Sequence, residues 1–213
     1  MRLGAREREQ VPDRDGDVDL MLALRRGDDA AFDVLFARWG GRLLGYLQRM
    51  VSDAATAEEL VQEAFLRVYR ARERYEPESR FSTWLYRIAT NLALNELRRP
   101  SRKRPHTSRD DEESTLVLVS SAPGPEASAQ ARLDASELIE ELDALPERQR
   151  VALWLTAVEG HSYAEVAEIL EATVKSVKSL VHRGRASLVL LREKREAGDA
   201  SEGGDKRQTG EIR

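Results

Sequence analysis

Thr173, Lys175, Ser176, Lys178, Ser179, His182, Arg183 and Arg185 follow one another late in the chain, in a run that meets no acid until Glu193. Cations and hydroxyls of this kind can meet base edges and phosphates when the helix carrying them lies in the major groove of a duplex. Thr173, Lys175, Ser176, Lys178 and Ser179 would occupy the first two turns, the part that approaches bases, and Arg183 and Arg185 lie further along, where phosphates pass. His182 sits beside the apolar side and suits either a phosphate contact or packing. The plainer alternative for the whole run is a solvated basic face on a small helical bundle. A second set, Thr83, Arg87, Asn91, Asn95 and Arg98, recurs at roughly helical spacing. Its amides and guanidinium groups can read bases or hold a strand backbone. A third set, Glu59, Gln62 and Glu63, is acid-rich and suits a basic or mixed protein partner, since phosphate would be repelled.

Other chemistries lack their residues. Cysteine is absent, which excludes disulfides, a thiol nucleophile and a cysteine-bound zinc. His106, His161 and His182 are far apart in sequence, so no metal site and no cofactor are expected. There is no glycine-rich phosphate loop, no HExxH and no nucleophile elbow, and the chain is not expected to be an enzyme. The opening residues lack the apolar run of a signal peptide, and no apolar stretch approaches the roughly 18 residues of a membrane span. A cytoplasmic protein without membrane insertion is expected. The formal net charge of -4 hides strong local contrast. Acids alone occupy the stretch from Asp53 to Glu63, bases alone the stretch from Arg98 to Arg109, and acids again Asp110 to Glu113. Such patches fit several partners of opposite sign.

These side chains need helices to position them. Asp19 can cap a first helix, and Asp28 or Asp29 a second that carries Phe32, Leu35, Phe36, Trp39, Leu43, Leu44 and Leu47, with Gly40-Gly41 expected to kink or divide it. Asp53 opens a third, whose core face is Ala57, Leu60, Val61, Ala64, Phe65, Val68 and Tyr69. After the break at Pro77, Ser82 can cap a fourth with the stripe Phe81, Trp84, Leu85, Ile88, Ala89 and Leu92. No period-two strand interrupts this block. From 100 to 126 prolines and charges predominate and a flexible linker is expected; within it Leu116 to Val119 could be a short strand or a docking segment. A second block, 127–195, begins with a helix through Leu133, Leu138, Ile139, Leu142 and Leu145. Pro146 starts the next and Gly160 ends it. Ser162 and Glu165 form a capping box for a third. Thr173 caps a fourth, whose inner side is Val174, Val177, Val181 and Leu188. Residues 196–213 read as a disordered tail. The expected fold is all-α: two small helical domains, 17–99 and 127–195, joined by the linker, the second containing a helix-turn-helix.

Residues 59 to 99, ELVQEAFLRVYRARERYEPESRFSTWLYRIATNLALNELRR, closely resemble the second conserved region of bacterial sigma-70 family sigma factors of the extracytoplasmic-function class. Residues 145 to 188, LPERQRVALWLTAVEGHSYAEVAEILEATVKSVKSLVHRGRASL, resemble their fourth region. The resemblance implies an alternative sigma factor that binds core RNA polymerase, directs promoter-specific initiation and is held by an anti-sigma factor. It implies that Glu59, Leu60, Gln62, Glu63 and Leu66 contact the polymerase clamp helices, and that the second block docks on the flap. It also implies that the loop from Tyr75 to Arg80 and the helix after it, with Arg80, Thr83, Arg87, Asn91, Asn95 and Arg98, hold the opened strand of the minus-ten element. The run from Thr173 to Arg185 would then read the minus-thirty-five element as duplex.

The chain departs from the family pattern in four places. Glu171 stands where the turn usually has glycine, and Lys175 where a glycine is common. Leu180 replaces a usual arginine and Gly184 a common alanine. Losing an arginine implies a lost charged DNA contact, and Glu171 should strain a left-handed turn. The alternative function is a helix-turn-helix regulator that works through the second block alone, without polymerase.

Overall fold

The computed structural model describes residues 16–51, 53–99 and 140–205. Among them every regular element is helical, in two clusters. The first holds α1 (Gly16–Arg25), α2 (Ala30–Val51), α3 (Ala54–Ala71), a 3-10 turn at Arg72–Arg74 and α4 (Phe81–Leu97). The second holds a helical stretch at 140–143, α5 (Glu147–Ala157), α6 (Tyr163–Ile169) and α7 (Val174–Asp205). No helix among the described residues is long and apolar enough to cross a membrane.

Apolar side chains at three- and four-residue spacing close the first cluster. Met21, Leu24, Leu35, Leu43, Leu47, Phe65, Phe81 and Leu85 are fully or almost fully buried, each contributing about 1.5–3 kcal/mol by leaving water. Asp53 caps α3, its carboxylate accepting from the Thr56 amide at 2.9 Å and from the Thr56 hydroxyl. Tyr46 and Thr90 join α2 to α4 through a buried 2.6 Å hydroxyl pair, and burial pushes the Tyr46 phenol well above its usual range.

Four local expectations change. α2 runs unbroken through Gly40 and Gly41. Each glycine costs about 1 kcal/mol, less than the burial of Leu35, Trp39, Leu43 and Leu47 around them returns, and the Phe36 ring lies 3.7 Å from the Cβ position of Gly40. α1 begins at Gly16, ahead of Asp19. The acid that holds structure together here is Asp17 rather than Asp19. Buried, Asp17 accepts from the Trp39 indole at 3.0 Å and from Arg38. Ser82 lies inside α4, whose N-cap is Arg80 without a side-chain cap. α7 continues as helix to Asp205, past position 196 where a tail was expected; no proline breaks that stretch. The linker from 100 to 126, Leu116–Val119 and the start of the helix before Pro146 lie outside the described residues.

α4 is buried nearly all round. Thr83, Tyr86, Thr90, Ala93 and Leu94 join the stripe expected from sequence, because α4 packs on α2 and α3 on one side and on α6 of the second cluster on another.

Candidate nucleic-acid interfaces

The turn between α6 and α7 sets the angle of the basic helix. The Ala172 amide donates to the Ala167 carbonyl at 2.9 Å and the Glu171 amide to that of Glu168 at 3.3 Å, the paired bonds of a Schellman ending. That ending needs a left-handed residue, and Glu171 takes it at φ 49°. Ahead of α6 the capping box forms: Glu165 receives the Ser162 amide at 2.8 Å and returns its own amide to the Ser162 hydroxyl at 3.2 Å. The Ser176 amide donates to the Thr173 hydroxyl at 3.1 Å, so Thr173 is the cap of α7.

Lys175, Ser176, Lys178, Ser179, His182, Arg183 and Arg185 are all exposed on α7, as is Thr173 ahead of it. Lys178, His182 and Arg185 share a shallow cleft of about 360 Å³ with Tyr163 and Val189. Val177 and Val181 face the core as expected, whereas Val174 is exposed, since the first turn of α7 projects beyond α6. Leu180 is only 8% exposed. It belongs to the packed side of the helix, so the residue that stands where the family usually has arginine serves the core here. Gly184 is buried where α7 meets α5: a Cβ there would come within 2.5 Å of the Leu153 Cδ1.

On α4, Arg87, Asn95 and Arg98 are exposed and Asn91 half-buried, with exposed Arg80 just before the helix. Thr83 is corrected: it is 1% exposed and its hydroxyl finds no partner among the described residues. One turn ahead of Arg87 on a helix buried on several sides, it points into packing and not toward a strand. A cleft of about 530 Å³ opens beside Arg87, walled by Arg74, Tyr75, Ser79 and Trp84 and, from the second cluster, by Glu168.

On α3, Glu59, Gln62 and Leu66 are exposed and Glu63 half-buried, bonded to Arg67 at 2.7 Å. Leu60, 8% exposed, belongs to the core and not to this surface, one position round the helix from the exposed edge. Phe36, assigned to the core from its spacing, is 45% exposed. Its ring packs edge-on against Phe65 with centroids 4.8 Å apart, which leaves an apolar edge beside α3.

The contact between the clusters was not legible in sequence. Glu159 accepts from the Trp154 indole at 3.1 Å and from Arg42 of α2 at 3.3 Å. Glu165 lies 3.7 Å from the Arg80 guanidinium, and Arg150 donates to the Arg49 carbonyl at 3.3 Å. His161 is buried, its ring edge-on to Tyr86 with centroids 5.1 Å apart. Burial pulls the His161 imidazole below its ordinary value, against the pull of Glu165 and Glu159 and with the push of Arg42 and Arg80. Burial alone would raise the Glu165 carboxyl, but the Ser162 hydrogen bonds, His161 and Arg80 outweigh it and hold it low. Burial and the nearby charge of Glu159 push the Tyr86 phenol far up.

Comparison with known proteins places these surfaces in a family. Residues 35–103 match the model for Sigma-70 region 2, and residues 135–188 that for Sigma-70, region 4. The RNA polymerase sigma-H factor of Pseudomonas aeruginosa is 33% identical over 176 residues, spanning 81% of this chain and 91% of that protein. The ECF RNA polymerase sigma-E factor of Escherichia coli K12 is 33% identical over 174 residues, spanning 79% of this chain and 90% of its own length. Among solved structures, the sigma factor RpoE in complex with the anti-sigma factor NepR from Bartonella quintana superposes with a TM-score of 0.59 at 25% identity, covering 76% of this chain and 96% of that one. The chain therefore belongs to the sigma-70 family of RNA polymerase sigma factors, in its extracytoplasmic-function class.

Proposed function

We propose that this chain, a sigma factor directing promoter-specific initiation, divides that work among three surfaces on two units, 17–99 and 127–195. The exposed edge of α3 (Glu59, Gln62, Glu63 and Leu66), extended by Phe36, docks on the clamp helices of core RNA polymerase: carboxylates around an apolar patch fit a mixed protein surface and repel phosphate. Arg80, Arg87, Asn91, Asn95 and Arg98 hold the opened strand of the minus-ten element, with the cleft beside Arg87 as the place for an unstacked base. The exposed residues of α7 read the minus-thirty-five element as duplex, while the second unit rests on the polymerase flap. An anti-sigma factor holds the chain inactive, as the solved relative bound to NepR suggests.

The observation that carries this reading is the presence on one chain of two differently built faces with chemistry suited to DNA, amides and guanidinium groups along α4 and a basic helix-turn-helix, in the order of the two family regions. The test mixes the purified chain with core polymerase and genomic DNA fragments and sequences the transcripts. A stable complex that starts transcription at a recurring promoter pattern is expected; failure to bind core polymerase would sink the reading. Asn95→Ala should impair strand opening and leave core binding intact. Lys178→Ala should weaken duplex binding and flatten its salt dependence.

A further inference from the structure

The loop of residues 75–80 helps to wall the cleft beside Arg87, and its backbone bonds are short-range. The Tyr75 amide donates to the Arg72 carbonyl at 3.4 Å and the Glu78 amide to that of Glu76 at 2.9 Å. Bonds of this span shape a turn but leave its placement against α4 to longer contacts. One is made by a side chain: Tyr75 is 4% exposed, with its ring 5.0 Å from that of Trp84, and the two residues wall the cleft together with Arg74. The other comes from α1. Arg25 Nη1 donates to the Tyr75 carbonyl oxygen at 3.1 Å, across 50 positions of sequence. Arg25 is the last residue of α1, where the helix dipole favours a cation. α1 lies ahead of residues 35–103, the part that matches Sigma-70 region 2, and none of its side chains belongs to the three surfaces assigned above.

We propose that Arg25 is a positioning residue for strand capture: it holds the start of the 75–80 loop, so that Tyr75 stays against Trp84 and the cleft stands formed before a base arrives. This role rests on the strand assignment given above and extends it to α1. A wall already in place spares the incoming base the cost of ordering it. Without the bond, the loop has to be ordered during strand opening itself. Arg25 touches no DNA in this role, so it acts on opening and not on recruitment to the promoter.

The test uses the full chain with core polymerase on a promoter fragment recovered by transcript sequencing, with a fluorescent base analogue in its minus-ten element. Arg25→Ala should keep the Kd of the closed complex within about twofold of the parent. It should slow the fluorescence rise of opening about three- to tenfold, the effect of one charge-assisted bond partly open to water. Arg25→Lys, which keeps a cationic donor of similar reach, should restore most of the rate. Arg26→Ala removes the same charge from the exposed neighbouring position and should open the promoter as the parent does. Opening by Arg25→Ala at the parent rate overturns the proposal. Equal slowing by Arg26→Ala also overturns it, since Arg25 would then act only by general attraction to phosphate. So does slowing that lysine leaves unrelieved, or a loss of closed-complex affinity as large as the loss of rate, either of which marks a role in folding alone. Asn95→Ala tells failure here from failure of the strand assignment. Slow opening by Asn95→Ala beside normal opening by Arg25→Ala removes only the role of Arg25, whereas normal opening by both removes the strand assignment as well.

Discussion

Glu171 offers a measurable strain. Its φ of 49° puts an L residue in the left-handed region, where the Cβ crowds the backbone at a cost of about 1–2 kcal/mol. The two Schellman bonds at 2.9 and 3.3 Å hold it there, so the strain persists. Glycine removes the Cβ clash but has more freedom to lose on folding, worth roughly 0.5–1 kcal/mol. The balance predicts that Glu171→Gly stabilises the second unit by about 0.5–1 kcal/mol, or roughly 4 °C in Tm for a unit of this size. Native-state hydrogen exchange at the amides of α5 and α7 is a suitable assay, because it reports on this unit and not on the first. Glu171→Ala is the control: it removes the carboxylate and keeps the Cβ, and should stay within about 0.5 kcal/mol of the parent. A glycine variant no more protected than the alanine variant would refute the argument, since the strain is then absent or relieved elsewhere.

Three further outcomes follow from burial and charge. Leu180→Arg, which restores the residue common in the family, should destabilise the second unit by about 2 kcal/mol and fail to strengthen duplex binding, checked by urea unfolding and anisotropy. Thr83→Val should be neutral or slightly stabilising and leave promoter opening intact, as its buried hydroxyl makes no bond among the described residues; loss of opening with normal stability would return Thr83 to the strand site. Acid should loosen the contact between the units. The contact holds His161 neutral below its ordinary value of 6.5, so units apart would bind more protons and the contact weakens as pH falls below about 6.5. Glu165, whose carboxyl is held below its ordinary 4.5, keeps its contribution until the pH falls further. Fluorescence transfer between labels at Glu58→Cys and Ala144→Cys should therefore drop between pH 7.5 and 5.5, and His161→Gln should remove that dependence.

The spacing of apolar residues located the helices, because burial of one face enforces a 3.6-residue period whatever the partner is. It placed the caps at Asp53, Ser162 and Thr173 for the same local reason: a side-chain oxygen two or three residues before a free amide acts within its own turn. What it could not place depends on distant neighbours. Phe36 and Val174 have core spacing yet stay 45% and 41% exposed, Phe36 covered on one side only by Phe65 of α3, while Thr83 and Leu180, at positions the family resemblance ties to DNA contact, are closed over by packing. The contact between the two units was invisible for the same reason. Arg42 and Glu159 are 117 positions apart, and no periodicity pairs them.

The two units, 17–99 and 127–195, are joined covalently through residues 100–126, and that alters what their contact has to achieve. On separate molecules, the packing of α6 on α4 and the ion pairs beside it would form only as often as the two units met by diffusion. Joined in one chain, the same surfaces see each other at an effective concentration on the order of millimolar, so even a contact too weak to hold separate molecules together would persist. A single proteolytic cut between Arg99 and Ala127 would then remove that advantage without altering any residue that forms the contact.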